Sequence, residues 1–235
     1  MANSQLKTAL TAVDWNSHVV EFLNDESLTN KIHQCNLRLA VWSKQFENAD
    51  KGNPALSFIR EMQIAAQYTT VLISLALYKP AAAAIRTVFE TALYYTYFRT
   101  HPTELATLIR DEDFYVPKKF IIEYHQTHSP KFDTFQNCFG LLGQINNWYP
   151  TVSAVIHGQI PGAWVAHRSI SEIRYVPANA RTVTQNFEDA EKLVYELFLC
   201  TVGVALWDSF STAAKRSLLH GLPGATKAIL GLDSA

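Results

Sequence analysis

The sequence predicts an all-α fold, a helical bundle of four or five long helices with short helices inserted in the middle. Apolar residues recur in steps of three and four through most of the chain, which is the period of an amphipathic helix. No well-supported run of β-strands competes with this pattern. Hydrophobic residues make up 48% of the 235 residues and charged residues 17%, a composition that excludes general disorder. We therefore expect one helical domain over residues 1–235, with a less regular insertion at about 101–183.

The first two helices follow from a cap and an apolar seam. Asn3 or Ser4 can cap a first helix that runs to about Phe22. The second helix carries apolar residues in alternating steps of four and three, namely Leu28, Ile32, Cys35, Leu39, Trp42 and Phe46. This spacing places them on one face. The second helix is expected to stop near Gly52, where glycine and proline interrupt the chain.

The next two helices are separated by a lysine and a proline. Pro54 suits the first turn of a third helix that runs to Tyr78. Lys79 and Pro80 interrupt the pattern, and a fourth helix follows as far as about Arg99. The connection is short enough for an antiparallel hairpin or for one kinked helix, and the sequence leaves both open.

The second half of the chain is more broken until its last helix. Short helices are expected in three segments, 101–113, 116–128 and 129–144. The segment Tyr149–Gln159 forms another helix, which Gly158 ends. Residues 160–180 contain two Gly/Pro breaks and are interpreted as a loop with extended pieces. The longest helical pattern then runs from Thr184 to His220.

Charge and cysteine content narrow the classes of function. A net charge of −1 offers no electrostatic footprint for tight, non-specific binding to long nucleic acid, although a local groove can still bind RNA. The three cysteines lack metal-ligand spacing, and their apolar neighbours indicate reduced, buried thiols of a cytosolic protein. The N-terminus lacks the pattern of a signal peptide. Charged residues interrupt the longest apolar stretches, so we expect a cytoplasmic protein with no membrane partner.

Two charged residues stand in the otherwise apolar fourth helix. Arg86 and Glu90 lie four residues apart and therefore share one helix face. They can form a solvent-exposed pair, a buried structural pair or the wall of a functional pocket. The helix is hydrophobic nearly all round, which argues against the solvent-exposed pair.

A polar stripe runs along the helix that follows the short ones. Tyr149, Ser153 and His157 recur every four residues and therefore stack on one face. In one interpretation His157 only occupies a helix C-terminus, where the helix dipole favours an imidazolium. In the other interpretation the stripe forms a functional site with Arg86 and Glu90.

The second interpretation assigns a role to each group. His157 would be a general base or acid, and Arg86 would hold a phosphate and stabilise the charge that builds on it, while Glu90 orients the arginine. The candidate catalytic residues are His157, Arg86, Glu90 and Ser153. The candidate ligand-binding residues are Tyr149 and, in the loop after this helix, Trp164, His167 and Arg168. If that loop folds back, its aromatic and cationic groups can roof a pocket and stack on bases.

The sequence predicts no metal site and no cofactor. His125 and His128 are three residues apart, but no third ligand accompanies them. A di-metal carboxylate bundle needs Glu-x-x-His motifs from two helices, and the sequence offers no such pair. Phosphate-cradling glycine-rich loops, nucleophile elbows and zinc-binding His-Glu-x-x-His helices are also missing.

Two short motifs carry a resemblance to a known family: Arg86-x-x-x-Glu90 and Tyr149-x-x-x-Ser153-x-x-x-His157-Gly158. Together they resemble uncharacterised bacterial helical proteins near the HEPN superfamily (higher eukaryotes and prokaryotes nucleotide-binding). The resemblance covers roughly residues 65–158. It implies a helical bundle, frequent dimers, and roles in RNA cleavage, nucleotide binding or antiviral defence.

The chain departs from that superfamily at its ribonuclease motif. The family's ribonucleases carry an arginine followed by a histidine after four to six residues, and the two meet across a dimer. The nearest approach in this chain is Arg216-Ser-Leu-Leu-His220, which is one residue short. A shift of one residue turns a helical side chain by about 100° around the helix axis. This departure from the ribonuclease motif therefore bears on catalysis more than on fold.

Two hypotheses of function follow. The leading one is a HEPN-like helical protein that binds or cleaves a phosphate-bearing ligand such as RNA, in a bacterial defence or toxin context. If it is an enzyme, it is a metal-independent phosphodiesterase of the ribonuclease type. The alternative is a non-catalytic interaction or regulatory module, such as an adaptor, an immunity protein or a complex subunit. The expected partners are a second copy of the chain in a homodimer, RNA or a nucleotide, or another protein.

Overall fold

The chain is helical along most of its length. The computed structural model describes residues 2–165 and 167–232. The helices in these ranges are α1 (Ala2–Thr11), α2 (Trp15–Asn24), α3 (Glu26–Ala49), α4 (Leu56–Ser74), α5 (Tyr78–Phe98), α6 (Pro102–Arg110), α7 (Lys118–His128), α8 (Phe132–Phe139), α9 (Leu141–Ile156), α10 (Pro177–Thr201), α11 (Gly203–Asp208), α12 (Thr212–Leu219) and α13 (Gly224–Leu230), with a 3₁₀ turn at Ile170–Glu172. The described residues contain no strand, which confirms the predicted all-α class. Within them, no helix is both long and apolar enough to cross a membrane.

Four long helices close a ring around the core. Helix α3 packs against α4, α4 against α5, α5 against α10, and α10 against α3. Aromatic side chains fill the centre: Trp42 stacks on Phe46 with ring centres 5.4 Å apart, and Phe198 lies 4.9 Å from Phe46. These rings are almost completely buried. Their burial is a large part of the hydrophobic stabilisation, at about 25 cal/mol per Å² of apolar surface.

The N-terminal helix is shorter than its sequence pattern predicts. Instead of one helix to about Phe22, α1 ends at Thr11 and α2 begins at Trp15. The side chain of Asp14 accepts a hydrogen bond from the backbone N–H of Ser17 at 3.0 Å. Aspartate is a favoured N-cap because it satisfies a backbone donor that has no partner within the helix. The cap therefore starts a new helix where the apolar pattern continues.

The last long helix lies further toward the N-terminus than the pattern from Thr184 to His220 predicts. Helix α10 begins at Pro177 and ends at Thr201. Proline suits the first position of a helix because the missing N–H has no acceptor there. After Thr201 the backbone turns at Gly203, which has a φ of 67°, and the rest of the segment forms two short helices.

Helices α4 and α5 form a hairpin, not one kinked helix. Helix α4 ends at Ser74, α5 begins at Tyr78, and the two pack along their lengths. The reversal lies at Ala76, which has a left-handed φ of 59°, and not at Lys79 and Pro80 as predicted. Pro80 instead lies in the first turn of α5, where backbone donors lack helical partners and a proline is tolerated.

Helix α5 also carries the elements that surround the candidate site. Helix α9 packs against both α5 and α10, and α7 packs against α5. A buried contact fixes α7, because His125 Nε2 lies 2.8 Å from Thr96 Oγ1 on α5. The beginning of α7 and the end of α9 are thereby held beside the middle of α5.

Candidate functional site

The site is built on an arginine–glutamate pair one helical turn apart on α5. Arg86 Nε donates a hydrogen bond of 2.9 Å to Glu90 Oε1. The two side chains are 24% and 34% exposed, so the pair is neither sealed in the core nor free in solvent. A pair in this position can turn part of the guanidinium toward a ligand while the carboxylate fixes its orientation.

Tyr149 on α9 closes a triangle with this pair. Its hydroxyl donates a hydrogen bond of 2.5 Å to Glu90 Oε1 and accepts one of 2.6 Å from Arg86 Nη2. Burial, together with the hydrogen bond to Glu90, raises the pKa of Tyr149 to about 12, so the phenol stays protonated at neutral pH. The guanidinium is thus held by two partners from two different helices.

His157 joins the cluster through the way α9 ends. His157 is the C-cap residue, and Gly158 follows with a left-handed φ of 69°. Two backbone bonds complete the turn, from Gly158 N–H to the carbonyl of Val155 and from Gln159 N–H to the carbonyl of Ala154, which is the Schellman pattern. The exposed imidazole then lies at the cluster.

The side chains of Arg86 and His157 lie next to each other, but their separation is long for a hydrogen bond. His157 Nε2 lies 3.5 Å from Arg86 Nη1. This is the longest of the polar contacts that the structure gives the guanidinium, so Nη1 keeps most of its capacity to donate to a ligand.

Lys118, the first residue of α7, brings a second cation to Tyr149. Its Nζ lies 4.6 Å from the centre of the Tyr149 ring, and the guanidinium carbon of Arg86 lies 4.8 Å from the same centre. Both distances are within the range of a cation–π interaction. Burial lowers the pKa of Lys118. Among the described residues no carboxylate pairs with this ammonium group.

A cleft of about 390 Å³ opens between these elements. Three cationic side chains line it, from Arg86, Lys118 and Lys119, whereas Glu90 is the only carboxylate among its described lining residues. Its aromatic wall consists of Tyr94, Tyr115 and Tyr149. The cleft therefore combines an excess of positive charge with phenol rings.

The side chains of four predicted site residues form no hydrogen bond or ion pair with this cluster in the described part of the chain. Ser153 is on α9, but its buried Oγ has no hydrogen-bond partner among the described residues. Trp164 packs against the hydrophobic core, His167 is half-buried, and the exposed Arg168 bonds through its backbone N–H to Glu172. These three loop residues do not line the cleft in the part of the chain that the structure describes.

The sequence pattern does not mark Lys118, Lys119 and Tyr115 as site residues. All three lie in the segment "YVPKKF", where the expected short helix 116–128 begins directly after Tyr115. Pro117 directly before two lysines is a recognisable helix start, but only the contact of α7 with α5 shows that this start meets Arg86. Lys79 is a further neighbour, since its Nζ lies 3.5 Å from the point where a Cβ on Gly158 would stand.

A larger cleft, of about 1100 Å³, lies between α3, α10 and residues 216–226. Its charged groups largely neutralise one another. Arg38 pairs with the buried Glu191 at 2.5 Å, and Lys192 lies 3.7 Å from Glu196. Because acids and bases balance there, we place the candidate site in the smaller cleft.

The Arg216 and His220 pair also belongs to the larger cleft. Helix α12 ends at Leu219, and His220 has an extended backbone conformation. The two residues therefore do not share a helix face.

The described residues contain no group of three or more His, Cys, Asp and Glu side chains that could hold a metal ion. His125, one of the two histidines considered as ligands, is buried and has both ring nitrogens in contact with hydroxyls.

Comparison with known proteins adds no family to these observations: no family model, curated protein or solved structure matches the chain.

Proposed function

We propose that the cleft between α5, α7 and α9 binds a phosphate-bearing ligand, such as a segment of RNA or a nucleotide. The observation that carries the proposal is the placement of Arg86 and Lys118 over one tyrosine ring, with Glu90 as the sole carboxylate among the described residues of the cleft. A partly desolvated site with surplus positive charge favours an anion. Arginine in particular binds phosphate oxygens through paired hydrogen bonds.

The beginning of α7 adds to the preference for an anion. Lys118 and Lys119 occupy its first turn, and the N-cap residue Pro117 provides no side-chain hydrogen bond there. The first backbone N–H groups of a helix have no partner within the helix and carry the positive end of its dipole. A phosphate in the cleft can accept from them as well as from Arg86.

Exposed phenol rings suit a base or another flat group beside the phosphate. Tyr115 is 70% exposed and Tyr94 is half-buried, and both line the cleft. Stacking of a base on an aromatic side chain contributes about 1–3 kcal/mol in single-stranded nucleic-acid sites. The resemblance to HEPN proteins makes RNA the first ligand to test.

Cleavage of the bound phosphodiester is the stronger form of the proposal. His157 would act as general base or acid beside Arg86, which would stabilise the charge that develops on the phosphate. The exposed imidazole, 3.5 Å from Nη1, supports this assignment. We further propose that the protein is cytoplasmic and HEPN-like and that it acts as a homodimer.

The binding test compares two arginine variants. Fluorescence anisotropy with a short, labelled single-stranded RNA measures affinity, with inorganic phosphate as competitor. Arg86→Gln is expected to weaken binding by at least about tenfold, which corresponds to about 1.4 kcal/mol. Arg60→Gln is the matched control, because Arg60 also pairs with a glutamate, Glu47, but on an exposed surface. Equal affinities of the two folded variants would contradict the proposal.

The cleavage test uses the histidine. His157→Ala is expected to abolish release of fragments from the labelled RNA while the affinity changes less than threefold, or about 0.6 kcal/mol. Cleavage that persists in a folded His157→Ala variant would remove His157 from the mechanism and leave binding as the function.

A second candidate function is a protein-interaction module, and one surface favours it. Ile64, Tyr68 and Val71 follow one another along a face of α4, and each is at least 40% exposed. Exposed apolar rows of this kind mark protein contacts. If this is the function, Tyr68→Asp is expected to abolish self-association or co-purification of a stoichiometric partner, whereas Arg86→Gln leaves both unchanged.

A further inference from the structure

Lys118 differs from the other cations of the site in its surroundings. Arg86 is neutralised by Glu90, and Lys119 lies 3.6 Å from Glu123. Lys118 has no carboxylate partner among the described residues, and its Nζ lies near the Tyr149 ring, as does the guanidinium of Arg86. A half-buried ammonium with no carboxylate partner in the described residues loses its proton more easily than an exposed one.

The pKa of Lys118 is shifted in the direction that these surroundings predict. Burial lowers the pKa of Lys118, so a larger fraction of its amine is neutral at pH 7 than for an exposed lysine. Arg86 keeps its charge at every pH of interest. The site thus combines a permanent cation with a lysine that can serve as a nucleophile.

We propose that Lys118 forms a reversible imine with a small aldehyde or ketone whose phosphate group is held by Arg86. This inference rests on the proposed function, because it uses the same phosphate contact and names the ligand class. A cleft of about 390 Å³ lies at the lower end of the range of roughly 300–1,000 Å³ for small-molecule sites. Such a volume suits one phosphorylated carbonyl compound.

The step needs no further reactant. The ammonium of Lys118 first loses a proton to water, and the neutral Nζ attacks the carbonyl carbon. A C–N bond forms, and the carbonyl oxygen takes up a proton to become a hydroxyl. The C–O bond then breaks, and the oxygen leaves as water. Over the whole reaction this water takes both hydrogens of the neutral amine, and a C=N bond remains. Hydrolysis reverses the reaction, and no group is oxidised or reduced.

The experiment traps the imine. The full chain is mixed with one equivalent of pyridoxal 5′-phosphate, the imine is reduced with borohydride, and the labelled lysines are mapped by mass spectrometry. Lys118 is expected to carry at least about ten times more label than any other lysine. Lys44→Arg, at an exposed lysine of α3 that does not line the cleft, is expected to leave this labelling unchanged, while Lys118→Arg removes it and keeps the charge.

Two comparisons test the phosphate contact. Labelling of Lys118 is expected to fall about tenfold with pyridoxal, which has no phosphate, and by a similar factor in Arg86→Gln. Equal labelling by both probes, or label spread evenly over exposed lysines, would overturn the inference.

Competition separates this inference from the proposed function. If pyridoxal 5′-phosphate displaces labelled RNA but leaves Lys118 unmodified after reduction, the imine is ruled out and phosphate binding stands. If the compound neither displaces RNA nor labels Lys118, and RNA binding is also insensitive to Arg86→Gln, both proposals fail together.

Discussion

Tyr149 is the residue on which the geometry of the cluster depends. Among the described residues, its hydroxyl is the one group with hydrogen bonds to both members of the α5 pair, as donor to Glu90 and as acceptor from Arg86. Hydrogen bonds to charged groups are stronger than neutral ones. The phenol therefore fixes the guanidinium relative to α9 and to His157.

Removal of this hydroxyl is expected to loosen the cluster without unfolding the protein. Tyr149→Phe keeps the ring under both cations and should lower the free energy of unfolding by about 1 kcal/mol, measured by urea denaturation with circular dichroism. RNA affinity should fall several-fold. Tyr115→Phe is the control, because Tyr115 is exposed and its hydroxyl forms no hydrogen bond among the described residues. The same loss in both variants would show that the triangle contributes nothing.

His125 holds α7 in place in its neutral form. The hydroxyl of Thr96 donates to the carbonyl of Leu93 at 2.7 Å, so it can only accept from His125 Nε2. The other ring nitrogen, Nδ1, then accepts from the hydroxyl of Ser129 at 2.7 Å. Burial lowers the pKa of His125 to about 4, with a smaller contribution from His101.

The sign of the resulting pH dependence follows from linkage. The ordinary pKa of 6.5 in the unfolded chain lies above the folded value of about 4, so the unfolded state binds the proton first. Stability from His125 is complete above pH 6.5 and is lost as the pH falls toward 4. We expect wild type to lose about 2 kcal/mol relative to His125→Gln between pH 6.5 and pH 5, in urea unfolding experiments. A constant difference between the two proteins would contradict a buried neutral imidazole.

At the scale of elements, the end of α9 decides where His157 lies. Gly158 has a φ of 69°, which an alanine adopts only at a cost of about 1 kcal/mol. An added Cβ would meet only Lys79 Nζ at 3.5 Å, an ordinary contact, so the cost comes from the backbone.

A matched pair of glycine substitutions, one just after α9 and one inside it, tests this role of the turn. Gly158→Ala is expected to lower the free energy of unfolding by about 1 kcal/mol and to slow cleavage of the labelled RNA, because it displaces His157. Gly143→Ala lies inside the same helix, where an added Cβ meets nothing within 4 Å, and should raise stability by about 0.5 kcal/mol. Thermal unfolding of both variants distinguishes them, and equal shifts of Tm would refute the assigned role of the turn.

The pair Arg38–Glu191 links α3 to α10. Glu191 is completely buried, and its Oε1 has no hydrogen-bond partner in the described part of the chain. Burial raises its pKa from 4.5 to about 7, although Arg38 opposes the shift. The folded state therefore holds a proton that the unfolded chain releases.

The buried Glu191 predicts a pH dependence of stability opposite in sign to that of His125. Stability from Glu191 is complete below pH 4.5 and is lost as the pH rises through 7. Glu191→Gln should therefore gain about 2 kcal/mol relative to wild type between pH 5 and pH 8, measured by urea unfolding at both values. Glu188→Gln, which breaks the partly exposed pair with Lys31, serves as the control. A gain of the same size in the control would point to surface charge instead of burial.

For the whole molecule, the pH dependences of stability that come from His125 and Glu191 partly cancel. As the pH falls from 6.5 to 4.5, the stability contributed by His125 decreases while the stability contributed by Glu191 increases. Both groups act on the ring of α3, α4, α5 and α10, because His125 on α7 contacts α5 and Glu191 lies on α10. Wild type should therefore respond less to pH in this window than either variant.

The buried faces of the ring helices were largely predictable from the sequence, because apolar periodicity determines which face a helix buries. The six seam residues of α3, from Leu28 to Phe46, are all buried. Helix ends were harder, because Asp14 and Gly203 override a pattern that continues past them. Periodicity does not register a cap or a left-handed residue.

The site was predictable only in part. Arg86, Glu90, Tyr149 and His157 stood out as polar groups in apolar helices, and the structure brings them together. Lys118 did not stand out, because a lysine at a helix start is ordinary on a surface. Its meaning comes from the contact between α7 and α5, which is not local in sequence.

The central claim, that the guanidinium of Arg86 binds phosphate, is tested most directly by nuclear magnetic resonance of ¹⁵N-labelled arginine side chains. The Nε–Hε signal of Arg86 is assigned by its loss in Arg86→Gln and followed while inorganic phosphate is added. We expect this signal to shift and saturate while that of Arg60 stays in place. A signal of Arg86 that does not move, or that drifts in parallel with Arg60 without saturation, would contradict the claim.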